Sequence, residues 1–141
     1  MQEYGRILLP VPNKLAVIIL NWRIINMDFK DQPFIPMLFG GDINTYSVAR
    51  AFYEEYQVKT YVFGKFPSGP SYNSNIIEYH ADLKIDTDDV FMKTVRDFAA
   101  AQADKTVLTI GCGDSYVALC SRHKDEMPEN VVAPYIDFEL M

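Results

Sequence analysis

The stretch FIPMLFGGDIN, residues 34–44, decides the fold class of this chain. Residues 34–39 form a continuous apolar run that is typical of a buried strand, and the glycine pair at 40–41 ends it in a tight turn. Asn44 or Thr45 is then predicted to be the N-cap of a helix. A buried strand that turns directly into a helix is the first half of a βαβ unit, so this stretch predicts an α/β protein with a parallel sheet.

Three later segments carry apolar residues at helical spacing. The first runs from about residue 45 to 57, the second follows the acidic stretch 86–89, and the third follows Ser115 and ends before Pro128. Acidic residues at a helix start complement the helix dipole. That explains stretch 86–89 better than a calcium loop, which needs further oxygen ligands, a glycine and a distal glutamate.

Four segments are predicted as strands from their short apolar runs: 34–39, 59–63, 106–110 and 131–136. Pro134 shortens the last of them to an edge strand or a strand end. Residues 66–75 form a loop with two prolines that either covers a cleft or crosses the sheet edge, and residues 76–85 accommodate a short strand or a turn. The alternation predicts a small three-layer Rossmann-like domain with about four mostly parallel strands.

Composition excludes several classes of protein. The chain has 141 residues, of which 49% are hydrophobic and 23% charged, as expected for one globular domain. The net charge is −6 and there is no run of basic residues, so no nucleic-acid partner is expected. Two cysteines, Cys112 and Cys120, form neither a disulfide framework nor a CxxC zinc motif, which is typical of a reduced, cytoplasmic protein.

The N-terminal residues differ from the rest. The apolar stretch from Leu15 to Ile25 is interrupted by Asn21 and Arg23, and a bilayer span takes about 20 residues, so no membrane partner is expected. No signal-peptide pattern is present. Residues 1–26 are either an extension upstream of a natural start at Met27 or a strand or hairpin packed on the domain, which spans residues 27–141.

Two glycine turns are the candidate binding elements. Residues 40–44 and 111–115 both follow strands and lead into helices, and ligands of open parallel sheets bind beyond the carboxyl ends of the strands. Each turn carries an acidic residue, Asp42 or Asp114, which disfavours a bare phosphate and suits a helix cap, a hydroxyl or an amine. An equally good interpretation is that both glycine turns, with their aspartate caps, are purely structural and bind no ligand.

Known motifs are matched only in part. VLTIGCGDS, residues 107–115, resembles the first motif of S-adenosylmethionine-dependent methyltransferases, but Thr109 and Ser115 depart from it and only 26 residues follow. Neither GxGxxG nor a P-loop is present. A nucleophilic Cys112 would need a histidine base, and His80 and His123 are not obviously placed for that role.

The order of several motifs resembles the start of ATP-grasp carboxylate–amine ligases, a group that includes carbamoyl-phosphate synthase large chains and D-aspartate ligases. The motifs are LFGGDIN (38–44), YSVARAF (46–52), IGCGDSY (110–116) and VAPYID (132–137), followed by residues 139–141. Their order and spacing carry the resemblance, which covers residues 34–141.

The resemblance implies a pre-ATP-grasp domain that lines one side of a substrate cleft and is inactive alone. A C-terminal ATP-grasp domain, the expected partner, would bind ATP and Mg²⁺ and phosphorylate a small carboxylate that an amine then attacks. No catalytic or metal-binding residue is expected in this chain. The residues expected to face substrate are Gly40, Gly41, Asp42, Asn44, Cys112, Gly113 and Asp114. The alternatives are a free-standing Rossmann-like or flavodoxin-like binding module and a methyltransferase fragment.

Overall fold

A computed structural model describes residues 28–141 of the chain. Its five strands are β1 (Phe34–Phe39), β2 (Thr60–Gly64), β3 (Ile77–Ala81), β4 (Thr106–Gly111) and β5 (Val131–Val132). Its α-helices are α1 (Ile43–Tyr56), α2 (Asp88–Ala101) and α3 (Asp114–His123), and short 3-10 helices span Lys124–Glu126 and Phe138–Leu140. Both interpretations of residues 1–26 lie outside the described residues.

All five strands pair in parallel, in the order β3-β2-β1-β4-β5. The α/β class is confirmed, with one strand more than the four predicted. The fifth strand, β3, lies within residues 76–85, for which a short strand or a turn was predicted; it is an edge strand, and only Ile77 in it is buried. β5 is shorter than residues 131–136, because it ends before Pro134, which has no N–H to continue the ladder.

The strands alternate their side chains between two apolar layers. On one face Met37 and Phe39 pack with Phe91 of α2 and Leu119 of α3. On the other face Leu38 of β1 packs with Ala49 of α1. The sheet therefore lies between α1 on one side and α2 and α3 on the other, which is the three-layer arrangement that was predicted.

The start of α1 corrects one prediction. The N-cap is Asp42, not Asn44 or Thr45. Asp42 is extended, and its Oδ1 accepts hydrogen bonds from the backbone N–H of Thr45 at 3.0 Å and from the Thr45 hydroxyl at 3.1 Å. All three residues are good capping types, and the turn after Gly41 places Asp42 at the helix end.

Thr60→Val is expected to raise the free energy of unfolding by about 1 kcal/mol, because the Thr60 hydroxyl is fully buried and has no hydrogen-bond partner within residues 28–141. Valine keeps the shape and removes the unpaired group. Urea denaturation measures the change. The matched control is Thr45→Val: Thr45 is equally buried, but its hydroxyl is bonded to Asp42, so that variant should be destabilised. A Thr60→Val protein less stable than the parent would contradict this account.

Candidate functional site

The centre of the sheet is the point where the chain order reverses. β1 lies between β2 and β4, and the last residues of β1 and β4, Phe39 and Gly111, are paired in register. The helix after β1 packs on one face and the helix after β4 packs on the other. The two helices therefore diverge from neighbouring strand ends and leave a crevice between them, which is where open α/β sheets bind ligands.

A cleft of about 470 Å³ occupies this crevice. Both glycine turns reach it, together with the loop that joins β2 to β3. Its lining consists of Gly40, Gly41, Asp42, Lys65, Phe66, Ser68, Gly69, Pro70, Tyr79, Cys112, Gly113, Ser115 and Tyr116.

Five of the seven residues expected to face substrate line the cleft: Gly40, Gly41, Asp42, Cys112 and Gly113. The other two, Asn44 and Asp114, lie in the first turns of α1 and α3 outside its lining. Sequence reasoning missed Lys65, Tyr79 and Tyr116. The position of Lys65, a charged residue directly after strand β2, is the sequence feature that could have identified it as a site residue.

The N-terminus of α1 is closed by its own aspartate. Besides the two bonds from Thr45 to Oδ1, the Asn44 amide donates to Oδ2 of Asp42 at 3.2 Å. The backbone hydrogen bond from Thr45 is the main reason that the pKa of Asp42 lies below its usual value. Both carboxylate oxygens are thus engaged within the turn, so Asp42 acts as a cap at the cleft wall rather than as a free base.

Asp42→Ala is expected to lower the free energy of unfolding by about 1 kcal/mol at neutral pH, since the N-cap of α1 is lost. The lowered pKa sets the sign of the pH dependence. A carboxyl group whose pKa is depressed by folding stabilises the native state above its unfolded pKa, and this stabilisation is lost as the pH falls through the folded value. The difference between the parent and Asp42→Ala should therefore shrink in acid, as urea denaturation at several pH values would show. Asp42→Asn, which keeps a capping side chain, is the control.

The N-terminus of α3 is open by comparison. Its N-cap is Gly113, which has no side chain to cap the helix. With φ at 156° and ψ at 151°, Gly113 has a backbone conformation that is essentially restricted to glycine. Among the described residues, the backbone N–H groups of Asp114 and Ser115 have no hydrogen-bond acceptor. These donors at the positive end of a helix dipole suit an anionic group.

The amino group of Lys65 and the hydroxyl of Tyr79 add two further polar groups to the cleft lining. Lys65 Nζ lies 2.7 Å from Oδ2 of Asp86, and this ion pair is the main cause of the lowered pKa of Asp86. Tyr79 donates its hydroxyl hydrogen to the carbonyl of Phe66 at 2.8 Å. This bond ties the β2–β3 loop to the sheet and places Phe66 at the rim, so the loop covers one side of the cleft.

The cleft has no activated nucleophile among the residues that the structure describes. Burial raises the pKa of Cys112 to about 11 and that of Tyr116 to about 12. Desolvation of the thiol therefore outweighs the effect of the nearby helix N-terminus. His80 stacks on Phe63 at a ring distance of 5.0 Å, and His123 bonds to Asp88 and Glu126, so neither histidine serves Cys112 as a base.

Two residues of the acidic stretch 86–89 form ion pairs. Asp86 pairs with Lys65, and Asp88 pairs with Arg122 and His123. In residues 28–141 no group of three His, Cys, Asp or Glu side chains is placed to hold a metal ion. Within the same residues, no helix is both long enough and apolar enough to cross a membrane.

The chain is similar to one curated ligase over most of its length. It is 35% identical over 114 residues to the D-aspartate ligase of Enterococcus faecium (strain Aus0004). The match covers 79% of this chain but 27% of the ligase, so the chain spans about a quarter of the length of the relative that it matches. No protein-family profile and no solved structure matches the chain. The similarity therefore relates this chain to part of a ligase.

Proposed function

We propose that this chain is the N-terminal, substrate-side portion of an ATP-dependent carboxylate–amine ligase. The observation that carries the proposal is the 35% identity to D-aspartate ligase over 79% of the chain. That relative is named for a small molecule with two carboxylates and an amine, so the proposed substrates are of the same class. The small fraction of the ligase that is matched, 27%, agrees with a chain that supplies one domain of a larger enzyme.

The cleft supports a binding role for this portion. At the open N-terminus of α3 the N–H of Ser115, a residue of the cleft lining, has no acceptor among the described residues, and the Lys65 amino group, paired with Asp86, lies in the same lining. Together they suit a carboxylate. Burial raises the pKa of Cys112 and of Tyr116, so neither is activated as a nucleophile, and we propose that the cleft holds and orients a substrate.

The chemical steps are assigned to the C-terminal ATP-grasp domain that we propose as the partner. There the γ-phosphoryl group of ATP passes to a carboxylate oxygen and ADP leaves. The amine nitrogen then attacks the acyl phosphate, loses a proton and displaces phosphate. We propose that ATP and Mg²⁺ bind to that domain.

The test compares the complete gene product with the 141-residue chain. Each is incubated with ATP, Mg²⁺ and a panel of small carboxylates that includes D-aspartate, with hydroxylamine present to trap an acyl phosphate. We expect ADP and a hydroxamate from the complete protein, and neither from the 141-residue chain. If the complete protein releases no carboxylate-dependent ADP, the ligase proposal fails and a free-standing binding module becomes the better account.

Two variants of the complete protein examine the cleft. Lys65→Ala removes the amino group at the cleft and should raise the KM for the carboxylate more than it lowers kcat. Arg50→Ala, on an exposed part of α1 away from the cleft, is the matched control and should leave both constants unchanged. Equal kinetic constants for Lys65→Ala and the parent would remove Lys65 from the proposed binding site.

A further inference from the structure

One flank of α1 forms an exposed apolar groove that shares no lining residue with the cleft. It is lined by Val48, Ala51, Phe52 and Tyr56, with Ser47 and Glu55 at its rim, and has a volume of about 460 Å³. We call these six residues the α1 groove. Tyr56 is 43% exposed although it is a large aromatic residue. Val48 and Phe52 pack in part against the core cluster that contains Ala49, whereas Ala51 and Tyr56 are exposed, so this apolar flank is only partly covered by the described residues.

The layer that contains α1 is incomplete. Two helices, α2 and α3, pack on the opposite face of the sheet, whereas α1 is the only α-helix of residues 28–141 on this face. On this face Leu108 and Ile110 of β4 are only half-buried and Val132 of β5 is 45% exposed. The α1 groove lies at the margin of this uncovered area, since the Phe34 ring at the start of β1 lies 6.3 Å from Phe52 and 5.2 Å from Tyr56.

The residues before β1 run past the C-terminal end of α1. The backbone N–H of Lys30 donates to the carbonyl of Gln57 at 2.8 Å, and the Gln32 side chain donates to the carbonyl of Tyr56 at 3.1 Å. Phe29 packs edge-on against Tyr53 at 5.7 Å. Residue 28 is therefore held beside α1. Tyr53 is outside the groove, so residues 26–28, which can span roughly 10 Å, must cross the C-terminal end of α1 for Ile25 to contact the groove at Tyr56.

Residues 15–25, which precede this part of the chain, match the α1 groove in apolar character and in length. Residues 15–25 read LAVIILNWRII, with Arg23 as their only charged residue. Glu55 is the only charged residue of the α1 groove, and it has no ion-pair partner among the described residues. Eleven residues extend from about 17 Å as a helix to about 36 Å as a strand, enough to follow the roughly 21 Å of α1.

We infer that the α1 groove is the docking site for residues 15–25 of this same chain. The docked segment completes the layer formed by α1 and removes the apolar surface of both partners from water. Arg23 then lies within reach of Glu55. This inference concerns a surface that shares no lining residue with the cleft and does not depend on the proposed ligase function.

The chain carries its own reporter for a test. Trp22, within the docking segment, is the only tryptophan of the protein. In the native 141-residue chain we expect blue-shifted Trp22 emission and a lower acrylamide quenching constant than in the same chain unfolded in urea. Ala51→Glu places a charge in the groove and should red-shift the emission and raise the quenching constant to the unfolded value. Circular dichroism should show that α1 stays folded.

The matched control is Ala100→Glu, the same substitution at an exposed position of α2 on the other side of the sheet, which should leave Trp22 shielded. Two results would overturn the inference: a Trp22 fully accessible to acrylamide in the native parent, or a Trp22 equally shielded in Ala51→Glu and in the parent. Shielding that disappears when a dimer dissociates on dilution would also overturn it, because the groove would then hold the segment of a second copy.

Discussion

Phe39→Ala should lower the free energy of unfolding by about 3–5 kcal/mol, the largest stability effect expected for a single substitution in this protein. Phe39 is fully buried at the end of the central strand. Its ring lies 4.6 Å from that of Phe91, 5.7 Å from that of Phe63 and 6.2 Å from that of Tyr116. Truncation removes the contacts that join β1, β2, α2 and α3, and leaves a cavity that these aromatic side chains cannot fill without leaving their own positions.

The matched control is Phe66→Ala, the same change at a position that is 58% exposed. Because little apolar surface leaves water at Phe66, its truncation should change stability by less than about 0.5 kcal/mol. Urea denaturation of the two variants and the parent measures both values. If the two substitutions cost the same, the packing between the central strand and α2 cannot be as described.

Gly111→Ala is expected to have the second largest effect, a loss of about 2–3 kcal/mol. A Cβ at Gly111 would lie 2.6 Å from the carbonyl carbon of Tyr116 and 2.6 Å from the backbone nitrogen of Val117. Both contacts are with the backbone of α3, so no side-chain rotation relieves them and the helix itself must move away from β4. The N–H of Gly111 also donates to the Tyr135 hydroxyl at 2.6 Å, and a displaced helix would strain that bond.

Substitutions at two other positions of the same turn distinguish this steric clash with α3 from a general destabilisation of the turn. Ser115→Ala alters an exposed side chain and should be nearly neutral. Gly113→Ala has open space, with the nearest atom 3.9 Å from the new Cβ, but its φ of 156° strains any residue with a Cβ. It should therefore cost about 1–3 kcal/mol. Denaturation curves that rank Gly111→Ala below Ser115→Ala in cost would contradict the close approach of α3 to β4.

The central part of the fold could be predicted because its signals are local. Residues 34–39 form a continuous apolar run and residues 106–110 a β-branched run, and each is followed by glycine, which is the pattern of a strand in the interior of a parallel sheet that ends in a turn. β3 lacks such an apolar run. Because only one of its residues is buried, its sequence pattern does not distinguish an edge strand from a turn. The same reasoning explains the short β5, where Val132 is already exposed.

The candidate site was predicted only where it lies directly after those two strands. The positions of Gly40 and Gly113 follow from the rule that ligands bind at strand ends. Lys65 and Tyr79 come from β2 and β3, and their presence at the cleft depends on the order of strands in the sheet, which the sequence pattern does not specify. The pKa of the Cys112 thiol could not be predicted either. Burial raises it to about 11, and no short sequence motif indicates whether a side chain is buried.

The strand order also bears on how the protein is made. β1 pairs in register with β4, from Phe34 opposite Thr106 to Phe39 opposite Gly111, so its second edge stays open until residues far along the chain have left the ribosome. Contacts this distant in sequence form slowly, because closing the long intervening loop costs conformational entropy before the contacts can stabilise the chain. During synthesis the apolar β1 is thus a strand with one free edge, a template for pairing with other chains. A nascent chain halted between β2 and β4 keeps this apolar edge open and is therefore expected to be prone to aggregation.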